Sequence, residues 1–332
     1  MSEFVRFEPD RPPLCDPLLI VAFGGAWGSS AVAALEHIAE ERGSTLLATI
    51  APEPFLDFTM QRPLVSIEGA TDDVAGERVL SWPEIRFELL DMGPDADLAS
   101  HVQSDGEPDI RRDIVLLVGP EPHLRWADFA TAVTATMEQI GVRESVMLGA
   151  FRMPTPHSRP VPLQLYTADR DLAATLRLPG EPWRYEGPAS ITTLLGVTCE
   201  ERDWPTASLI AAAPFYVDAE PQPHAMLALV RVLARAFDLA VDVESLEDDV
   251  RELDAEAEEA RVRSEPFEAL VANLEQEYDR EAAAFDSIDL AAVPAAPELL
   301  AAVADFLEES RGNAGDDDAV GEDGPPPADA PH

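Results

Sequence analysis

The sequence predicts an α/β protein, a three-layer α/β/α sandwich in which helices cover both faces of a central sheet. Two observations support this class. Short apolar segments typical of buried strands alternate with helical stretches over residues 1–240. Within that region, an apolar run at 114–118 is followed by a helix with one apolar stripe and a second apolar run at 145–148. Strand, helix and strand in so few residues predict a right-handed crossover between parallel strands.

Each element has its own local signal. The predicted strands are short runs rich in apolar residues, at 18–23, 45–51, 78–80, 85–91, 114–118, 145–148, 163–167 and 207–213. The predicted helices carry apolar residues at helical spacing, at 30–42, 124–140, 169–176, 190–201 and 224–237. Gly119 and Pro120 are expected to end the strand before them, and Gly141 to end the helix before it. Residues 95–111 are polar and predict a loop.

The pattern changes near residue 241. Apolar residues then recur at alternating intervals of four and three, which is typical of packed helices. Pro266 interrupts this pattern and predicts two helices that meet near residues 264–266. We expect three regions: an α/β domain at 1–240, an acidic helical extension at 241–310 with a further helix at 297–310, and a disordered acidic and proline-rich tail at 311–332.

The charge of the chain is strongly negative. Its 332 residues hold 64 acids and 23 basic residues, all of them arginine, for a net charge of −41. Such a charge argues against nucleic acid and anionic membranes as partners. The two cysteines are far apart, and no signal peptide or membrane-length apolar stretch is present, so we expect a cytoplasmic protein without a disulfide.

Two loops that leave predicted strands hold unusual residues. They are 119–126, with the sequence Gly-Pro-Glu-Pro-His-Leu-Arg-Trp, and 156–162, with Pro-His-Ser-Arg-Pro-Val-Pro. Ligands of open α/β sheets gather beyond the carboxyl ends of the strands, where we expect both loops to lie side by side.

These loops and other segments resemble the PAC2 family of proteasome-assembly-chaperone-like proteins, in its actinobacterial branch. The resemblance runs from about residue 17 to about residue 259 and rests on these segments: 119–126, 156–160, Arg-Tyr-Glu-Gly-Pro at 184–188, Pro-x-Ala-Ser-Leu at 205–209 and Asp-Phe-x-x-x-Arg-Pro at 57–63. It implies a mixed central sheet like that of phosphorylases and hydrolases, self-association into homo-oligomers, and binding to proteasome subunits. The candidate ligand or partner residues are Arg62, Gly119, Glu121, Arg125, Trp126, His157, Arg159 and Glu186.

Each candidate has a structural and a functional interpretation. His157 and Arg159 would serve as a proton donor and an anion clamp, or they would brace a proline-rich loop. Glu121 and Arg125 would act as a ligand-binding acid and base, or as a helix-start interaction and an i,i+4 ion pair. Trp126 would be a stacking platform or a core residue. We favour the structural interpretation in each case.

Other chemistry has little support. The glycine-rich turn at 24–30 lacks the spacing of a nucleotide-binding loop and predicts a plain tight turn, and Cys199 lies in an apolar helix where a thiol is inert. No catalytic residue, metal site or cofactor is expected. Three functions stay open: a non-catalytic interaction or assembly factor, an enzyme acting on a small anionic or nucleoside-like ligand, and a structural homo-oligomer.

Overall fold

The structure, a computed structural model, describes residues 3–25, 28–69, 76–92 and 112–286. Residues 1–278 form one compact unit and residues 279–332 form a second. Only residues 279–286 of the second unit are described. The boundary expected near residue 240 falls between the sheet and the following helices, which lie in the first unit as far as residue 278.

The described residues form strands and helices in alternation. The strands are β1 (Val5–Phe7), β2 (Leu18–Gly24), β3 (Ser44–Ile50), β4 (Leu64–Glu68), β5 (Glu77–Ser81), β6 (Ile85–Leu90), β7 (Ile114–Pro120), β8 (Glu144–Met153), β9 (Leu163–Tyr166), β10 (Gly180–Glu181) and β11 (Thr206–Pro214). The helices are α1 (Ser30–Arg42), α2 (Trp126–Ile140), α3 (Arg170–Leu176), α4 (Ile191–Glu200), α5 (Pro223–Phe237), α6 (Glu244–Arg263) and α7 (Glu265–Asp286).

A nine-stranded mixed sheet forms the centre of the molecule, in the order β1-β3-β6-β7-β2-β8-β11-β9-β10. Strands β7, β2, β8 and β11 are parallel neighbours, while β6 and β9 run antiparallel to them on either side. The expected parallel pair β7 and β8 is therefore present, with β2 between its members. The mixed sheet agrees with the fold expected from the sequence.

Two apolar clusters make the three layers. Alternate residues of β2 point to opposite faces, so Leu18 and Ile20 belong to one cluster and Leu19 and Val21 to the other. Helices α1, α3 and α5 cover the first face, and α2 and α4 cover the second. The α/β/α sandwich is confirmed.

Several strand ends differ from the sequence prediction. Strand β7 continues through Pro120, because it pairs with β2 up to the Gly24 and Pro120 pair. Strand β8 reaches Met153 instead of ending at residue 148, because it pairs with β11 along nine positions. Helix α2 begins at Trp126 instead of near residue 124. In β7 and β8, pairing with a neighbouring strand has outweighed the local glycine and proline signals for the end of a strand.

Strands β1, β4 and β10 were not expected. Within the described residues, strands β4 and β5 pair with each other and form a separate two-stranded sheet, which we call the β4–β5 ribbon. All five residues of β4 are exposed, so the strand lacks the alternation of buried and exposed positions that identifies a strand in sequence.

The helices that follow the sheet meet where Pro266 predicts, with a break at Ser264 between α6 and α7. Leu246 of α6 is buried in the same cluster as α1 and α5. The expected loop at 95–111, the helix at 297–310 and the disordered tail at 311–332 lie outside the described residues. In the part of the chain that is described, no helix is both long and apolar enough to cross a bilayer.

Candidate functional site

The loops of interest gather at one edge of the sheet. Strands β2, β7, β8 and β11 are parallel, so the segments that follow them, around Gly25, Glu121, His157 and Glu220, lie at the same carboxyl edge. This is the edge where the sequence places the two candidate loops. Glu121 and His157 follow strands separated only by β2.

Gly119 has a packing role at the end of β7. A Cβ atom there would lie 2.7 Å from the carbonyl oxygen of Glu84 and 2.9 Å from the Cα atom of Ile85. Both atoms belong to backbone and cannot move aside like a flexible side chain. The residue is therefore required by the close approach of the segment that leads into β6.

Glu121 stabilises a helix start, although not the expected one. Its Oε1 atom accepts a hydrogen bond of 3.3 Å from the backbone N–H of Ile191, the first residue of α4. Its own N–H donates to the carbonyl of Gly24 at 2.7 Å. A Cβ atom on Gly25 would lie 2.6 Å from the Glu121 carboxylate, so the loop needs glycine there. The expected dipole interaction occurs at α4 instead of α2.

Arg125 and Trp126 form hydrogen bonds with residues close to them in sequence. The Arg125 Nε–H donates to Asp128 at 2.8 Å, and its guanidinium lies 4.9 Å from the centre of the Phe4 ring. The expected Glu121–Arg125 ion pair is replaced by this Asp128 pair, because Arg125 is in a left-handed conformation that turns the chain into α2. The Trp126 indole N–H donates to the carbonyl of Pro122 at 2.6 Å.

Arg62 and Glu186 are both exposed. Arg62 precedes β4, at the base of the β4–β5 ribbon, and Glu186 lies in the loop after β10. Asp57, in the same segment as Arg62, accepts hydrogen bonds from the side chain and backbone of Thr59, which lower the pKa of its carboxyl.

A carboxylate of the chain itself, that of Glu220, binds the start of α1 after the glycine-rich segment. The Glu220 carboxylate accepts hydrogen bonds from the backbone N–H of Ser29 at 2.6 Å and from its hydroxyl at 2.7 Å. Gly28 has a positive φ of 99°, and a Cβ atom there would lie 3.2 Å from the same carboxylate. Arg152 approaches Glu220 at 3.8 Å. The start of α1 attracts negative charge, and Glu220 supplies it.

His157 is buried and bonded on both sides of its ring. Its Nδ1 atom lies 2.7 Å from the hydroxyl of Tyr216, and its Nε2 atom lies 3.1 Å from Oε1 of Glu258 on α6. The backbone N–H of His157 also donates to the Tyr216 hydroxyl at 2.8 Å. Burial raises the pKa of Tyr216. The Tyr216 hydroxyl accepts a hydrogen bond from the His157 backbone N–H and donates its own hydrogen to Nδ1. The ring proton of His157 is then on Nε2, which donates to Glu258.

The next residues of the same loop contact α7. Glu275 accepts a hydrogen bond of 2.5 Å from the Ser158 hydroxyl, and Arg159 lies 3.8 Å from it. Arg261 of α6 donates two hydrogen bonds of 3.2 Å to the same carboxylate. Burial opposes the charge of Glu275, but the Ser158 and Arg261 hydrogen bonds prevail and lower its pKa. The loop at 156–160 is thus held by the two helices.

A second buried histidine has an equivalent partner. The Nε2 atom of His224, near the start of α5, lies 2.8 Å from Oδ1 of Asp254 on α6. Its backbone N–H donates to the side chain of Gln222 at 2.8 Å. His224, Glu220 and Tyr216 were not among the residues predicted from the sequence. The one sequence signal was the spacing of two acids on α6, Asp254 and Glu258, on one helical face.

Cys199 is the buried thiol of α4. Burial raises the pKa of its thiol, so the protonated form is favoured. Cys15, the other cysteine, is exposed. The inert character expected for Cys199 agrees with this environment.

The chain resembles known proteins over most of its length. The model of the PAC2 family matches residues 19–261. No curated protein matches the sequence. A PAC2 family protein from Streptomyces avermitilis has 34% sequence identity, with a TM-score of 0.61, over 74% of this chain and 95% of that one.

Two further structures extend the comparison. A Mycobacterium tuberculosis proteasome-assembly chaperone homologue has 28% identity and a TM-score of 0.60, over 76% of this chain and 99% of that one. PbaB of Pyrococcus furiosus, an archaeal proteasome activator, shares the fold at 17% identity and a TM-score of 0.57, over 78% of this chain and 99% of that one. The chain described here is a member of the PAC2 family.

Proposed function

We propose that the chain is a non-catalytic protein-interaction or assembly factor that acts in the cytoplasm on proteasome subunits. The proteasome link comes from the relative described as a proteasome-assembly chaperone homologue. The observation that carries the interaction role is the β4–β5 ribbon, which presents apolar side chains to solvent.

The ribbon leaves four large apolar side chains exposed to solvent. Leu64 is 72% exposed, Val65 and Ile67 are each 66% exposed, and Leu80 is 52% exposed. An isolated two-stranded hairpin has little stability of its own in water. Contiguous exposed apolar side chains of this kind mark protein–protein contact sites. A partner that covers them would remove apolar area from water and stabilise the ribbon.

The two strands of the ribbon carry little net charge. Arg78 offsets one of the two acids Glu68 and Glu77, which leaves the strands with a charge of −1 on a chain of net charge −41. The cores of protein interfaces are depleted of charged residues. The ribbon is therefore suited to an apolar partner surface, and the acidic remainder would favour partners that carry basic residues around it.

The enzyme alternative has weaker support from the carboxyl edge. An anionic ligand at the start of α1 or α4 would have to displace the carboxylate of Glu220 or Glu121, each hydrogen-bonded to a helix N–H. The His157 ring is already engaged by Tyr216 and Glu258. These contacts favour the structural interpretation of the candidate residues.

Assembly of purified proteasome α and β subunits from the same organism tests the proposal. We expect the wild-type chain to raise the rate or yield of assembled particles. The triple variant Val65→Ser, Ile67→Ser and Leu80→Ser should lose that effect. Val262→Ser, at an 87% exposed apolar residue on α6, is the matched control and should keep it. Equal behaviour of the ribbon variant and the wild type would contradict the proposal.

Self-association is a separate part of the proposal. Because the strands of the ribbon are largely apolar and carry a charge of only −1, a second copy of this acidic chain would meet little repulsion from them. Light scattering of the wild type and of the ribbon variant distinguishes the two uses of the ribbon. A smaller particle for the variant, with assembly activity retained, would assign the ribbon to self-association alone.

A further inference from the structure

A cavity lies at the edge of the sheet opposite to the carboxyl edge, where the candidate loops 119–126 and 156–162 lie. It has a volume of about 460 Å³ and is lined by residues of the segment 167–180, between the end of β9, helix α3 and β10. Strand β9 runs antiparallel to β11, so this cavity opens at the edge where β11 begins. Small-molecule sites of proteins commonly have volumes of this size.

Two arginines line this cavity. Arg170 begins α3 and Arg177 follows its last residue, and both contribute to the wall. Among the residues that the structure describes, neither guanidinium has a hydrogen bond or an ion pair. Both residues are exposed, so their guanidiniums are accessible to a ligand from solvent. On a chain with 64 acids, two unpaired arginines at one cavity indicate a site for negative charge supplied from outside.

The acid and the hydroxyl in the cavity are already engaged. Oδ1 of Asp169 accepts hydrogen bonds from the backbone N–H groups of Asp171 at 3.0 Å and Leu172 at 2.9 Å, which caps α3. The hydroxyl of Thr167 donates to the carbonyl of Thr206 at 2.7 Å. The start of α3 is therefore closed by Asp169, and the binding groups left in the cavity are the two guanidiniums.

The spacing of the arginines determines the shape of the ligand. They are seven residues apart and flank α3, so their Cα atoms are separated by about 10 Å along the helix. Between them the wall is apolar and consists of Ala173, Ala174, Leu178 and Pro179. Such a wall suits methylene groups, while each end offers a planar guanidinium that can bind a carboxylate in bidentate fashion.

We propose that this cavity binds an elongated small molecule with a carboxylate at each end and an aliphatic middle. Arg170 holds one carboxylate and Arg177 holds the other. The site stands apart from the proposed protein-interaction role, because the β4–β5 ribbon and the carboxyl-edge loops contribute no residue to it.

Calorimetric titration of the full chain with suberate, a linear dicarboxylate, tests this assignment. The titrations are run near 0.15 M salt, where the screening length of about 8 Å weakens repulsion from distant acids more than it weakens direct contacts. Octanoate, with one carboxylate and the same chain length, is the comparison ligand. The variants are Arg170→Gln, Arg177→Gln and the double variant, and Arg143→Gln is the control, since Arg143 is an exposed arginine outside the cavity.

We expect suberate to bind the wild type about tenfold or more tightly than octanoate, and each single variant to lose about tenfold in affinity for suberate. Arg143→Gln should bind like the wild type, and circular dichroism should show every variant folded. Absence of suberate binding at millimolar concentration would overturn the proposal. Equal loss in Arg143→Gln would also overturn it, because the attraction would then come from overall charge.

Discussion

The Nε2 atom of His157 lies 3.1 Å from Oε1 of Glu258, although 101 residues separate the two in sequence. His157 follows β8 and Glu258 lies on α6, so the contact joins the carboxyl edge of the sheet to the helices after it. One turn earlier on α6, Asp254 meets His224 at 2.8 Å. Two acids on one face of a helix thus hold two buried histidines of the α/β sandwich.

Removal of Glu258 should destabilise the protein. In Glu258→Ala the Nε2–H of a buried imidazole has no acceptor, which costs about 1–3 kcal/mol. Urea unfolding measures the loss. Glu259→Ala is the control: Glu259 pairs with Arg263 in an exposed i,i+4 arrangement, worth less than about 0.5 kcal/mol. An equal decrease in the free energy of unfolding of the two variants would show that the His157–Glu258 contact stabilises the protein no more than an exposed ion pair does.

Removal of Glu220 should open an anion site at the start of α1. Glu220→Ala leaves the N–H and hydroxyl of Ser29 without their acceptor, and the variant should lose about 1 kcal/mol of stability. Sulfate should then raise the melting temperature of the variant more than that of the wild type. Asp218→Ala serves as control, because Asp218 also pairs with Arg152 but is 99% exposed. A sulfate effect of equal size in the wild type would refute this account of the turn.

Replacement of Gly119 should be costly for steric reasons alone. In Gly119→Ala the new methyl group would meet backbone atoms of Glu84 and Ile85 at under 3.0 Å, and we expect a loss of about 1–3 kcal/mol. Gly196→Ala is the matched case in α4, where the nearest atom would be 3.7 Å away. That variant should be neutral or more stable by up to about 1 kcal/mol, because alanine favours helix. Chemical denaturation of both variants decides the comparison.

Stability should fall in alkaline solution because of Cys199. Burial raises the pKa of its thiol above the ordinary value of 9.0, so the folded state holds the proton more tightly than the unfolded state does. The contribution is fully present below that value and is lost as the pH rises through the folded pKa. Unfolding free energies at pH 8 and pH 10 measure it, and Cys199→Ala should have a smaller decrease. The unfolding free energy of Cys15→Ala, at the exposed cysteine, should decrease between these pH values as much as that of the wild type.

Much of the fold follows from local sequence. Apolar runs such as those of β2 and β7 are buried on both faces, and this signal is strong because every side chain contributes to it. The ribbon strand β4 was missed because none of its residues is buried. The ends of β7 and β8 were missed because pairing with β2 and β11 extends them beyond their apolar residues.

The site was harder to predict than the fold. The sequence placed Glu121 and His157 at the correct edge, since strand order fixes where loops emerge. Their partners come from distant parts of the chain: Ile191 is 70 residues from Glu121, and Glu258 is 101 residues from His157. No local pattern reports which backbone N–H or carboxylate will be brought near, because that depends on how the whole sheet is assembled.

The central place of β2 has a consequence for synthesis on the ribosome. This strand is made first among its neighbours, yet it lies between β7 and β8, which end at Pro120 and Met153. Because translation proceeds at about 5–20 residues per second, a very apolar segment waits several seconds for both flanks to emerge. During that interval residues 18–24 have neither of the two strands with which they pair in the folded sheet.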